Sequence, residues 1–260
     1  MTAPLLITGG TGTLGRLVLP RLLDTGAKLR VLSRSDHPSG DGAEFVTGDL
    51  ATGAGLGTAM DGVGTVVHCA GSAKGDDEKA RHLVRAASRA GVGHIVYISV
   101  VGADRIPVVS ATDRAMFGYF AAKRGAEEII ADSQLPWTTL RATQFYDLIL
   151  TVAQGLAKLP IVPVPAAPYQ PIDAGEVADR LVELALGAPA GLVPDLGGPR
   201  VYDLPELVRS YLRATHRRRI VLPMRPPGKA GRAVRAGATL TPDRMVGRKT
   251  WEEFLAERVR

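Results

Sequence analysis

Cysteine is nearly absent: Cys69 stands alone in 260 residues. That excludes an intramolecular disulfide and any cysteine-based zinc spacing, so a reducing cytoplasm is the expected compartment. The five histidines, His37, His68, His82, His94 and His216, are scattered. None has a neighbour at a metal-ligand or triad spacing, and no metal is expected. No apolar run approaches the roughly 20 residues that a bilayer-spanning helix requires, so no membrane partner is expected. The N-terminus lacks the basic-then-apolar build of a signal peptide and runs straight into a strand-like segment. Aromatic residues make up only 5% of the chain. The basic triplet Arg217-Arg218-Arg219 has none interleaved with it for base stacking, and it matches no nucleic-acid motif.

What remains is an ordinary globular balance, 45% hydrophobic and 22% charged, enough for one large α/β domain or one domain with a small appendage. The net charge of +6 is unevenly placed. Residues 200–260 hold 15 Lys/Arg against 6 Asp/Glu, and the rest of the chain holds 17 against 20. A basic C-terminal part of this kind reads as a solvated arginine-rich face. It can attract an anionic substrate through its field, and nucleic acid is not indicated. Neither composition nor motif carries a signal of oligomeric state.

Strand and helix patterns alternate through the first 140 residues, the mark of βαβ units around a parallel sheet. Strands are expected at Ala3 to Thr8, Leu29 to Ser33, Glu44 to Thr47, Thr65 to Cys69, His94 to Ser99 and Trp137 to Arg141. Helices are expected at Leu14 to Leu23, Ala54 to Met60, Lys79 to Ala90 and Ala115 to Ala131. Gly and Asp-Gly punctuation separates them. Beyond Arg141 the rhythm changes. Residues 143–158 read as helix, and Pro160 to Pro171 as an extended segment too proline-rich for a central strand. A helix start follows at Ile172 to Leu181 with Asp173 as N-cap. Helices at Leu204 to Ala214 and Trp251 to Arg258 and a strand at Ile220 to Leu222 complete the chain, with a basic loop or weak helix over Gly228 to Gly237. The expected division is a core over 1–142 and a smaller substrate-side part over 143–260, packed as one unit.

Gly9, Gly12 and Gly15 fall at G-x-x-G-x-x-G spacing between the first strand and the first helix. A dinucleotide pyrophosphate needs this arrangement, because glycines let the backbone approach and a helix N-terminus offers unpaired N–H groups. Gly9, Thr11, Gly12, Thr13, Leu14 and Gly15 are therefore candidate cofactor contacts. After the second strand an NAD site usually carries a carboxylate for the ribose 2′-hydroxyl. Here Ser33-Arg34-Ser35 stands in its place, and a guanidinium between hydroxyls suits a 2′-phosphate. NADP(H) is the expected cofactor. Asp36 keeps NAD(H) as the alternative. Tyr119 and Lys123 lie at i,i+4 on one helical face, a spacing at which an ammonium favours the phenolate and prepares it for proton transfer. Ser110 and Thr112 are read as helix caps.

TGGTGTLG (Thr8 to Gly15), VLSR (Val31 to Arg34), GDL (Gly48 to Leu50), VHCAG (Val67 to Gly71), HIVYIS (His94 to Ser99), KRGAEE (Lys123 to Glu128) and LPWTTLRATQF (Leu135 to Phe145) follow in order. Together they resemble the NmrA-like, atypical branch of the short-chain dehydrogenase/reductase superfamily, over roughly residues 3–185. The resemblance implies a Rossmann-type, doubly wound parallel α/β sheet with a small C-terminal substrate-side subdomain. It implies that Asp49 and Leu50 meet the adenine, that Cys69, Ala70 and Gly71 line the middle of the cofactor, and that Lys123 holds ribose hydroxyls. Tyr119 would protonate a substrate carbonyl and Ser99 would orient it, with the substrate between the sheet's C-terminal edge and the 145–175 segment. A reductase acting on a small carbonyl or quinone-like substrate is the first expectation. A cofactor-sensing regulator that moves no hydride is the second, and a sugar-nucleotide epimerase or dehydratase ranks below both.

Overall fold

Short apolar runs buried on both sides become strands, and the charged, periodic segments between them become the helices that cover the strands. The computed structural model describes residues 3–37, 42–72 and 75–259. In chain order the first elements are β1 (Leu5–Thr8), α1 (Gly15–Leu23), β2 (Leu29–Ser33), β3 (Ala43–Thr47), α2 (Leu56–Met60), β4 (Thr65–His68), α3 (Asp76–Ala90), β5 (His94–Val100), α4 (Ala111–Ala131) and β6 (Trp137–Ala142). Then come α5 (Tyr146–Leu156), β7 (Ile161–Pro165), β8 (Pro168–Tyr169), α6 (Ala174–Leu186), β9 (Gly191–Leu192), β10 (Tyr202–Asp203), α7 (Leu204–Ala214), β11 (Ile220–Met224), α8 (Gly228–Arg235) and α9 (Trp251–Arg258).

Two compact units divide these elements. The first gathers Met1–Ser99, Ala122–Leu140 and Val177–Val193. Its sheet runs β3-β2-β1-β4-β5-β6-β9, and β1 pairs in parallel with β2 and with β4, as do β2 with β3 and β4 with β5. This is the doubly wound Rossmann order, extended by one short strand, β9, beside β6. Every residue of β5 is buried. Leu6, Val66, Leu83, Ala87, Ile95, Ala126 and Ile130 form one side of the core, where α3 and the later half of α4 lie on the sheet. The strand order reverses between β1 and β4. Ligands of open α/β sheets bind at such a point, beyond the C-terminal strand ends.

The second unit gathers Val100–Ala121, Arg141–Glu176 and Pro194–Arg260. Its core is aromatic: Tyr146, Trp251 and Phe254 pack with ring centroids 5.2–5.8 Å apart, over Val162, Val164, Leu207 and Tyr211. The proline-rich segment becomes two peripheral strands, β7 beside β11 and β8 beside β10, as proline's missing N–H demands.

Helix starts differ from the sequence expectation for local reasons. α4 begins four residues early because Ser110 and Asp113 cap each other: Asp113 N–H donates to Ser110 Oγ at 3.0 Å and Ser110 N–H to the Asp113 carboxylate at 3.1 Å. α3 begins at Asp76 rather than Lys79, with Asp76, Asp77 and Glu78 in its positive first turn. Asp173 accepts from Gly175 N–H at the head of α6. The basic stretch after Pro227 is helix α8.

Candidate functional site

β1 ends at Thr8 and the chain turns on Gly9, whose φ of +71° lies where an L side chain is strained. A Cβ on Gly9 would also stand 2.6 Å from Ala70 N and 2.9 Å from the Cys69 carbonyl carbon. The first loop thus lies directly on the turn that follows β4, which brings Gly9 together with Cys69 and Ala70. Gly12 N–H donates to Gly9 O at 2.9 Å, and Arg16 N–H to Gly12 O. The N–H groups of Thr13, Leu14 and Gly15 meet no protein acceptor among the described residues. Three unpaired donors at the head of α1, over a loop too tight for side chains, make an anion cradle. Sequence spacing passed over Gly10. It is buried, and a Cβ there would press to 2.7 Å of the Val31 side chain.

Around the cradle, Ser33 is buried at the end of β2, while Arg34 and Ser35 are exposed in the bend beyond it. Arg34 makes no ion pair among the described residues. Asp49 is fixed in its turn by Ala51 N–H on its carboxylate at 2.9 Å, and Leu50 O lies 2.9 Å from His82 Nδ1.

At the ends of β4 and β5 the structure gives Lys123 charged partners that the sequence did not announce. Lys123, only 4% exposed, donates from Nζ to Ile98 O at 3.3 Å and stands 3.3 Å from Asp76 Oδ2. It also lies 5.0 Å above the Tyr97 ring centroid, and a Cβ on Gly71 would stand 3.0 Å from it. Asp76, 1% exposed, accepts from Ser72 N–H at 2.9 Å and from Lys79 Nζ at 3.2 Å, and Lys79 also donates to Ser72 Oγ. Burial alone would raise the Asp76 carboxyl. Lys123, Lys79 and the hydrogen bonds together hold it below the usual carboxylate range. Burial pulls the Lys123 ammonium below the ordinary lysine value, with Asp76 opposing. Burial pushes the Cys69 thiol up to about 12, so Cys69 is no thiolate nucleophile.

Ser99, on β5 one residue past Ile98, is buried, and its Oγ has no hydrogen-bond partner among the described residues. A buried hydroxyl of this kind ordinarily has a partner, and a ligand group fits the need. Tyr119, in the other unit, is 37% exposed and packs edge-on against Phe120 at 5.6 Å. Among the described residues no three His, Cys, Asp or Glu side chains cluster as a metal site would require.

His68, the last residue of β4, shares a 2.6 Å hydrogen bond between its Nδ1 and Thr8 Oγ1 and stacks on Tyr97 at 5.2 Å. Burial, reinforced by Lys123, lowers its imidazole from 6.5 to about 3. The unfolded chain therefore takes up a proton near 6.5 that the folded chain refuses until about 3, so stability present above 6.5 is lost on acidification through that window. The His68 ring is expected to remain neutral in ¹H–¹⁵N spectra across about pH 5–8, where histidines ordinarily titrate. His68→Gln should flatten the acid side of the stability profile. A ring signal titrating near 6.5 would contradict the buried geometry.

Residues 9–158 match the NAD(P)H-binding family. A (4-alkanoyl-5-oxo-2,5-dihydrofuran-3-yl)methyl phosphate reductase of Streptomyces griseus is 31% identical over 183 residues, covering 67% of this chain and 61% of that protein. Photosystem II assembly factor Ycf39 of Trieres chinensis is 28% identical over 172 residues, covering 62% and 49%. The chain thus spans half to three-fifths of the length of these curated relatives. An NADPH-dependent quinone oxidoreductase of Escherichia coli, solved with NADPH, superposes with a TM-score of 0.80 at 18% identity over 98% of this chain and 100% of that one. At that identity the likeness is one of fold. The family match takes in the glycine loop, Arg34, Asp49, the Cys69–Gly71 turn, Ser99 and Lys123 together, and it covers more than half of the sequence: the chain belongs to the NAD(P)H-binding family.

Proposed function

We propose that the protein is an NADP(H)-dependent oxidoreductase acting on a small carbonyl or quinone-like substrate. One observation carries the reading. The same unit that holds the anion cradle also holds a buried ammonium, Lys123 on Asp76, and a buried hydroxyl, Ser99, that lacks a partner among the described residues. A module that only gripped phosphates would need neither. When bound, the nicotinamide supplies or accepts a hydride. The N–H groups of Thr13, Leu14 and Gly15 would hold the pyrophosphate, and Arg34 with Ser35 the 2′-phosphate. Asp49 and Leu50 would meet the adenine, the Cys69–Gly71 turn the middle of the cofactor, and Lys123 the ribose hydroxyls. Tyr119 is the residue we assign to proton transfer, at its phenolic oxygen.

A regulator that senses NADP(H) without turnover is the second reading. Two observations favour it: Tyr119 packs against Phe120 as a structural aromatic would, and some relatives are named as assembly factors. NADPH consumption over a panel of aldehydes, ketones and quinones separates the two. Turnover is expected, and Tyr119→Phe should reduce it by about 10²-fold or more while leaving NADPH affinity intact. Tight binding with no turnover on any substrate would leave the regulator. Arg34→Ala should weaken NADPH by roughly tenfold and spare NADH, because only the 2′-phosphate needs the guanidinium. Equal weakening of both would discard the 2′-phosphate assignment.

A further inference from the structure

In the second unit β7 and β11 run in parallel, with Ile220 opposite Ile161, Leu222 opposite Pro163 and Met224 opposite Pro165. Val162 and Val164 turn inward to the aromatic core. Strand alternation then places Ile161, Pro163, Pro165, Ile220, Leu222 and Met224 together on the other face. A solvated sheet face is ordinarily polar. This one has no polar side chain at any of the six positions, and Ile220 is 68% exposed, Ile161 53%, Leu222 and Met224 51%.

The chain segments that carry and flank these two strands hold charge of one sign. Residues 207–242 contain nine Lys/Arg and no Asp/Glu, with Arg217, Arg218, Arg219 and Arg225 bracketing β11 itself. Residues 148–172, which include β7, contain Lys158 and no acid. None of these ten cations is ion-paired with a carboxylate among the described residues. We propose that this face docks on the surface of an anionic lipid bilayer, its aliphatic side chains entering the headgroup boundary while the flanking arginines meet lipid phosphates. Among the described residues no helix is long and apolar enough to cross a membrane, and surface docking requires none.

Other occupants fit less well. Ile220 N–H donates to Pro160 O, and Met224 O accepts from Ala166 N–H. The backbone groups of residues 220, 222 and 224 are thus turned toward β7. The outer edge is left to Val221 and Pro223, and Pro223 has no N–H to offer an added strand. Antiparallel pairing with a second copy would set Arg217–Arg219 against the other copy's Arg225, like charge on like. The six positions include no aromatic ring on which a nucleic-acid base would stack.

The test is flotation of the full chain with vesicles of phosphatidylcholine alone or mixed with phosphatidylglycerol. Binding to the mixed vesicles is expected, weakening as salt rises. Leu222→Asp with Ile220→Asp, and separately Arg217→Gln with Arg218→Gln, should each reduce it by about tenfold or more. NADPH affinity and the thermal melt should stay unchanged, because these side chains are exposed and lie outside the cradle. No flotation would overturn the proposal. So would equal binding to neutral vesicles, binding indifferent to Leu222→Asp, or sedimentation as a dimer that Leu222→Asp dissociates. Preferential capture of an acidic polypeptide or a DNA duplex over vesicles would overturn it as well.

Discussion

Gly15→Ala is expected to abolish NADPH binding and to lower the melting temperature, whereas Gly12→Ala is expected to weaken binding with little effect on the melt. Gly15 is the buried first residue of α1. A Cβ there would fall inside the van der Waals shell of Gly9 O and stand 2.6 Å from Gly10 Cα and 2.8 Å from the Gly9 carbonyl carbon. All three are backbone atoms of the cradle and cannot rotate away, so the loop must open. Intrinsic helix propensity acts in the opposite direction, favouring Ala over Gly by about 1 kcal/mol. A net loss of stability therefore reports the steric conflict, about 1–3 kcal/mol by the usual cost of overpacking. Each kcal/mol lowers the midpoint by about 2–4 °C for a domain of this size. Gly12 is exposed, and its Cβ would meet only Gly9 O, at 3.2 Å. That crowding disturbs the turn without dislodging the helix, and a loss of about tenfold or more in affinity is expected. Fluorescence titration with NADPH beside a thermal melt reads both variants. If Gly15→Ala bound NADPH as the wild type does, the loop would not be the phosphate cradle.

The glycine loop between β1 and α1 was legible in the sequence because the signals that mark it are local. A strand end, three glycines and a helix start lie within fifteen residues, and the chemistry of each is written at its own position. β2 and α7 were legible to the residue for the same reason. Helix starts were less so, since the Ser110–Asp113 cap and the acidic first turn of α3 depend on which of several polar residues takes the capping role. The two-residue β9 has too few side chains to show a period. Of the electrostatic centre only Lys123 was legible, and none of its partners. His68 meets Thr8 across 60 residues, and Asp76 meets Lys123 from a different helix. The acid in GDDEK reads locally as nothing more than a helix N-terminus. Nor does a local pattern announce the gathering of Val100–Ala121, Arg141–Glu176 and Pro194–Arg260 into one unit, or the apolar outer face of β7 and β11, which needs the register between two strands about sixty residues apart.

Asp76→Ala is expected to destabilise the protein by about 3–5 kcal/mol, the cost of leaving a buried charge without its partner. Lys123 is enclosed by the Tyr97 ring, Ile98 O and Asp76. Of these only Asp76 carries a compensating charge, which it shares with the more exposed Lys79. Removal of the carboxylate forces the Lys123 ammonium to stay buried uncompensated or to shed its proton. The double variant Asp76→Asn/Lys123→Met should be less destabilised than the sum of its parts, because both charges leave together. The pH dependence has a definite sign. A carboxyl held below its unfolded value of about 3.9 lends stability that is complete above that value and is lost as pH falls through the folded value. The gap in unfolding free energy between wild type and Asp76→Asn should therefore be constant near neutrality and close only in strong acid. NADPH affinity separates a positioning role from a merely structural one. At a temperature where Asp76→Asn is fully folded, it should still bind NADPH more weakly than wild type, because the ammonium we propose for the ribose has lost its anchor. The double variant should bind no better than Lys123→Met alone, since Asp76 acts on the cofactor only through Lys123.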